Sequence, residues 1–255
     1  MVGLSKWKSD DDNVYQDSTD YITGDMPTVY NYQYRPMHIN NRRWTVKLDY
    51  ENPISEHAKI QAGYEGNFSE ENTPQESWAD QSWNGLNASE DRAFYNRFIY
   101  DMDLHAVYLT AQYQLGKLGV MGGLRGEYWH VNTESYTWEQ ERDPSKRDKA
   151  FDKDYFQLFP SIFMSYQLTD NDQLQLNSFR DTRDATSISF GNPELTPEFS
   201  NSFSFNYLRT WTEHSLLVSA YYRPTTDVMQ RVNWHDAATG IMYQTTKNVA
   251  KSQSE

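Results

Sequence analysis

The chain contains no cysteine. Disulfides, thiolate metal sites and cysteine nucleophiles are therefore excluded. Basic charge is scarce: 23 Lys and Arg stand against 36 Asp and Glu, for a net charge of −13. A nucleic-acid partner needs clustered cations and does not fit that balance. Long hydrophobic runs are also missing. No stretch approaches the ~18 consecutive apolar residues of a membrane-spanning helix. Residues 1–30 show no basic n-region followed by an apolar h-region, so no secretory signal is visible. Apolar residues amount to 37% of 255, a thin supply for a core closed on both sides.

What the chain does have is rings and alternation. Aromatics reach 15%, with 19 Tyr, 12 Phe and 8 Trp. Rings with a polar tip suit boundaries that are dry on one side and wet on the other. Trp44, Val46, Leu48 and Tyr50 alternate with Thr45, Lys47 and Asp49. The same period of two runs through Ile60 to Phe68, Val107 to Leu115, Leu118 to Tyr128, Leu158 to Leu168, Leu174 to Leu176, Phe203 to Tyr207 and Leu216 to Tyr222. This is a pattern of antiparallel strands, about ten of them. A soluble β-sandwich gives the same alternation with its apolar face turned inward. A transmembrane barrel turns that face to lipid.

The connections differ between the two ends of the strands. Ser55-Glu56-His57-Ala58, Leu115-Gly116-Lys117-Leu118, Thr169-Asp170-Asn171-Asp172 and Thr212-Glu213-His214-Ser215 are short turns. Residues 69–102, 131–154 and 178–198 read as long polar loops. Structureless loops of this length are unusual in a compact soluble domain, and short turns opposite long loops is the plan of an outer-membrane barrel. Tyr50, Tyr113, Tyr166 and Tyr207 each precede a short turn, where an interfacial aromatic girdle belongs. The apolar face from Leu118 to Tyr128 spans roughly 25 Å at a strand tilt of ~40°, the height of a lipid-facing band.

Catalytic and metal chemistry finds little footing. His38, His57, His105, His130, His214 and His235 show no ligand spacing. Asp10-Asp11-Asp12-Asn13 lacks the spaced ligands and glycine of a calcium loop and reads as a solvated acidic tail. Glu134, Glu139, Glu141 and Asp143 could in principle supply a glycosidase pair. No phosphate loop or nucleophile elbow occurs. The expectation is no enzyme, no catalytic residue, no metal and no cofactor. Trp78, Trp83, Tyr136, Trp138 and Trp234 read as exposed-loop aromatics among acids and amides, able to stack on a ligand.

One segment carries a family resemblance. Gly191-Asn192-Pro193-Glu194-Leu195-Thr196-Pro197-Glu198 resembles the Gly-Asn-Pro-x-Leu-x-Pro-Glu signature of TonB-dependent receptor barrels. Pro193 and Pro197 donate no hydrogen bond and so suit the approach to a strand. The flanks agree in order: Gln157 to Leu168 before it, Val218 to Val228 after it, and Asn248-Val249-Ala250-Lys251-Ser252 in place of an Asn-x-Gly-x-Ser strand. The chain is similar to the outer membrane protein β-barrel family over roughly residues 42–255, leaving 1–41 as an N-terminal loop or partial strand region.

That resemblance implies an all-β, antiparallel up-and-down transmembrane barrel in the cell outer membrane, contacting outer-membrane lipid. It further implies a role in binding and importing a nutrient ligand, with a plug domain and the TonB energy-coupling system as partners. Transporters of this kind close on the order of 22 strands around a plugged lumen, so the chain reads as a partial barrel. The strand following Leu174 reads as shorter than the ~9–11 residues that cross a bilayer. The reading of another class is a soluble, aromatic-rich β-sheet module that binds carbohydrate.

Overall fold

A computed structural model describes residues 1–22, 26–183, 195–235 and 242–254. Twelve strands form one antiparallel sheet. Ten are long: β1 (Val2–Thr19), β2 (Val29–Ser55), β3 (Ala58–Gln75), β6 (Asn96–Leu115), β7 (Leu118–Tyr136), β8 (Phe151–Gln167), β9 (Asp172–Arg183), β10 (Glu198–Thr210), β11 (Ser215–His235) and β12 (Met242–Ser254). Each pairs with the next in that order, the up-and-down topology expected. Two short strands, β4 (Trp78–Asp80) and β5 (Ser89–Glu90), extend the sheet beside the first part of β2. Among the described residues β1 and β12 do not pair, so the sheet is not closed.

Turn chemistry explains the hairpins. Gly116 has φ +57° at the first position of the two-residue β6–β7 turn. That conformation belongs to type II′ turns, whose twist matches the flanking strands. Glu56-His57 has no positive φ, and the β2–β3 ladder shifts register between Pro53 and Ser55 to accommodate it. The β8–β9 and β10–β11 turns lie at this same end of the sheet. The longer connections 76–95 and 137–150 lie at the other end. Of these, 76–95 carries β4 and β5, and 137–150 carries helix α1 (Trp138–Arg142). No helix among the described residues is long and apolar enough to cross a membrane.

Three expectations need correction. The ladders run further outward than apolar alternation showed: β3 reaches Gln75, β6 starts at Asn96 and β8 starts at Phe151. Polar residues there keep the backbone pairing after the apolar period ends. The strand after Leu174 is not short, because β9 runs to Arg183 and pairs with β10 along its whole length. Tyr136 and Trp234 are strand residues, at the end of β7 and in β11, not loop residues. At residue 41 the sheet shows no break, since β2 passes through it and pairs with β1 from Val29 to Val46.

The two faces of the sheet differ in kind. Leu48, Tyr64, Val107, Gly126 and Leu158 share one register row across β2, β3, β6, β7 and β8. One residue along, Lys47, Glu65, Ala106, Glu127 and Gln157 share the row on the opposite face. The apolar face is open: Val107 is 61% exposed, Leu124 50% and Phe156 63%. Tyr113, Tyr128 and Tyr166 are exposed on it as well. Tyr166 and Tyr207 both pair with Leu174, whereas Tyr113 lies two pairs further from the turns, a stagger that goes with tilted strands. Pro36 and Pro197 aside, only Met102, Ala106, Trp129, Tyr136, Phe159 and Phe199 are buried apolar side chains among the described residues. Among the described residues no second layer clasps Val120, Leu124 and Ile162, so the apolar face does not form a sandwich core.

The polar face is stitched by side chains two residues apart. Arg125 Nε donates to Glu127 Oε1 at 2.6 Å and its Nη1 to Glu65 Oε2 at 3.2 Å. Trp129 Nε1 donates to the other Glu127 oxygen at 3.0 Å. Tyr108 hydrogen-bonds Asp49 across the glycine at position 63. A Cβ at Gly63 would stand 2.4 Å from the Tyr108 ring, so the glycine clears the path of that ring. This face is charged and internally hydrogen-bonded.

Candidate functional site

The outward ends of β2, β3, β6 and β7 carry the largest loop assembly among the described residues. Thr137 opens α1 with a capping box: its hydroxyl accepts from Gln140 N, and Gln140 Oε1 accepts from Thr137 N. This fixes Trp138 at the first helical position. The indole Nε1 donates to Glu90 Oε1 of β5 at 2.7 Å. The guanidinium carbons of Arg92 and Arg142 each stand 3.9 Å from the Trp138 ring centroid. Arg92 Nε also donates to Glu90 at 3.2 Å. The Trp138 indole, with Arg92 and Arg142 beside it, holds the Glu90 carboxyl below its usual range.

Further ion pairs lock the same loops. Arg97 Nη1 meets Glu141 Oε1 at 2.8 Å, and Lys146 Nζ meets Glu139 Oε2 at 2.8 Å. Lys146 depresses the Glu139 carboxyl, and the Ser145 hydroxyl depresses that of Asp143. A glycosidase general acid needs a raised carboxyl. These two acids are shifted the other way and serve as structural partners. Among the described residues no three His, Asp or Glu side chains gather to hold a metal ion.

The five aromatic candidates end in different surroundings. Trp83 is exposed, packs edge-on to Tyr30 at 6.0 Å, and lines a cavity of about 680 Å³ with Ser18, Tyr30, Gln81, Ser82 and Asn84. Trp78 is half-buried in β4 and tilts against Tyr34 at 5.7 Å. Trp138 has its faces taken up by two guanidiniums. Tyr136 is buried, with the Arg147 guanidinium 4.4 Å over its ring. Trp234 is exposed on β11, in a hairpin far along the strand order. Trp78 and Trp138 meet the same short strand, since Trp78 pairs with Glu90.

Of the signature, Gly191, Asn192 and Pro193 lie outside the described residues. Its remaining part is a latch across the last strands. Asn248 of β12 accepts from Thr196 N at 2.9 Å and donates to Thr196 O at 2.8 Å. The same amide nitrogen lies 2.6 Å from Asp227 O. Asp227 has φ +57°, where a non-glycine residue is uncommon, and the β11–β12 register shifts beside it. Buried Glu198 accepts from Met229 N at 2.5 Å. Leu195 directly precedes Thr196, and buried Pro197 stands between Thr196 and Glu198 in the chain. Asn248 and Asp227 were not legible as partners of the signature. The only hint was the Asn-x-Ala-x-Ser pattern at 248–252.

The family model described as "Outer membrane protein beta-barrel family" matches residues 2–255. The chain belongs to this family. It is a protein of the cell outer membrane, and its open apolar face is the lipid-facing side of a barrel wall. No curated protein sequence matches the chain. Among solved structures the barrel segment is similar to the Serratia marcescens hemophore receptor HasR, at 11% identity and TM-score 0.55, over 98% of this chain and 45% of that one. It is similar to the copper transporter OprC at 10% identity and TM-score 0.57, over 96% and 42%. It is also similar to the ferric-catecholate import receptor Fiu from K12 E. coli at 11% identity and TM-score 0.54, over 97% and 40%. At these identities the likeness is one of fold. The chain spans less than half the length of these receptors and transporters.

Proposed function

We propose that this chain supplies wall strands and surface loops of an outer-membrane receptor that binds a nutrient ligand and imports it. One observation carries the reading. The same strands present an apolar face to lipid and, back to back with it, a charged face of Lys47, Asp49, Glu65, Arg125 and Glu127. A wall with this polarity encloses a wet passage. A plug in that passage and energy delivered by a TonB system complete the proposal, supported by the receptors and importers among its structural relatives. The long-loop end would capture ligand. Trp83 is the best placed of the five aromatics, because it keeps an exposed ring beside a cavity. Trp78, Tyr136, Trp138 and Trp234 would act at most by shaping that surface.

Two measurements test this. Spin labels at Leu48, Leu109 and Ile162 in outer-membrane vesicles should collide with oxygen more than with a polar relaxant, and labels at Thr110 and Ser161 should show the reverse. Cells with and without the protein should then be compared for energised uptake of ferric catecholate, copper and short glycans. Uptake that needs both the protein and the proton-motive force supports import. Equal uptake across the panel would sink it and leave the wall assignment standing.

A further inference from the structure

A second concave site lies on the lumen face, away from the loop assembly. Its cavity of about 300 Å³ is lined by Ser5, Trp7, Asn41, Arg43, Ser69, Glu71 and Tyr100. The register explains why these residues meet. Trp7, Asn41, Glu71 and Tyr100 form one row across β1, β2, β3 and β6. Ser5, Arg43 and Ser69 form the next row on the same face. Two rings therefore stand at the ends of the upper row, with an amide and a carboxylate between them. A guanidinium flanked by two hydroxyls lies in the row below.

The charged groups here are not spent on each other. Arg43 makes no ion pair or hydrogen bond among the described residues. Its neighbour Arg42 points to the opposite face and pairs with Glu70 at 3.9 Å. Glu71 is fixed from behind: Asn41 Nδ2 donates to its Oε2 at 3.2 Å and Thr73 Oγ1 to its Oε1 at 3.3 Å. Each carboxylate oxygen keeps a free lone pair. Trp7 is 46% exposed, so its ring is open to a ligand.

We infer that this lumen cleft binds a short acidic saccharide, its carboxylate on Arg43 and its ring against Trp7. Guanidinium matches a carboxylate with two parallel hydrogen bonds. Glu71 and Asn41 take sugar hydroxyls, as acceptor and donor, and the Glu71 charge keeps the ligand's carboxylate in the lower row. Ser5 and Ser69 supply further hydroxyl partners. Trp7 offers an apolar ring face to the carbon–hydrogen face of a sugar. A phosphate would call for a second cation, and Arg43 is the only one lining the cleft. The inference names a substrate class for the receptor proposed above and rests on that reading.

The test uses the full chain refolded in detergent micelles, with methyl β-D-glucuronide and methyl β-D-glucoside as probes. These differ only in the carboxylate. Calorimetry or saturation-transfer NMR should show the glucuronide binding at least ten-fold more tightly. Arg43→Gln should lower the glucuronide to the level of the glucoside and leave the glucoside unchanged. Arg43→Lys should recover part of the difference, and Trp7→Ala should weaken both sugars alike. Heat-dependent gel mobility confirms that each variant is folded. Failure of either sugar to bind, equal binding of both, or an Arg43→Gln variant indistinguishable from the parent overturns the proposal. A dipeptide with a free carboxylate that outcompetes the glucuronide would also overturn it. None of these outcomes bears on the spin-label test, so loss of the saccharide site is distinguishable from loss of the barrel reading.

Discussion

Leu124 and Arg125 are chain neighbours on β7, yet they live in different solvents. Leu124 sits in a row with Leu109 on the face open to lipid. Arg125 sits in a row with Tyr108 on the face that holds Glu65 and Glu127. Both rows are at the same depth, so exposure alone does not say what a side chain meets. In a soluble protein an exposed leucine row of this extent would be an aggregation hazard. Here it is the part that the surrounding hydrocarbon completes.

A charge placed on either face should break the symmetry most clearly. Leu124→Arg puts a guanidinium near the middle of the apolar band and should cost roughly 2–4 kcal/mol of stability in lipid. Gln112→Arg, one strand away on the lumen face, should change stability by well under half of that amount. Urea unfolding in phospholipid vesicles measures both. Equal costs for the two variants would mean that the face assignment is wrong.

The next largest effect should come from the lumen side. Arg125→Ala strands Glu127, whose side chain is only 10% exposed, and removes the partner of Glu65. The loss should be about 2–3 kcal/mol, since a hydrogen bond to a charged group contributes that much and the remaining acid is left unpaired. Adding Glu127→Gln should restore part of it. If the double variant is no more stable than Arg125→Ala alone, the unpaired charge of Glu127 is not the source of the loss.

Much of this was legible in the sequence, and the reason is period. Alternation over Val107 to Leu115 and Leu118 to Tyr128 named the strands, the apolar face and the short-turn end, because each depends on residues close together in the chain. The outward extensions were not legible. Past Phe68 both faces of β3 are polar, and past Tyr128 the apolar residues of β7 no longer alternate regularly, so the ladders continue with no period to announce them. The aromatic candidates were legible as rings but not in their fates. Whether Trp138 meets a ligand or Arg92 and Arg142 depends on how residues 76–95 dock on residues 137–150, which no local pattern encodes. The latch at Thr196, Asp227 and Asn248 has the same cause, since its three parts come from three strands or their approaches.

That latch gives a smaller and more local prediction. Asn248→Ala removes the amide that holds both Thr196 backbone groups. It should cost about 1–2 kcal/mol and raise hydrogen exchange in β10 to β12 while leaving β6 to β8 protected. Uniform loss of protection would show that the last strands are not a separable region.

The smallest effect sharpens the comparison between wall and loops. Glu90 is exposed, and the Trp138 indole, then Arg92 and Arg142, hold its carboxyl below the ordinary range. A group depressed in the docked state favours docking at all pH values above its undocked pKa, about 4.3. That contribution fades only as pH falls through the lower, docked value. The indole N–H resonance of Trp138 should therefore stay constant from neutral pH to about pH 5 and shift only in stronger acid. In Glu90→Gln, which keeps an acceptor oxygen without the charge, the acid-induced shift should disappear. A midpoint near neutral pH would instead assign the junction to another group, and the loops would then be coupled to conditions that leave the barrel wall unchanged.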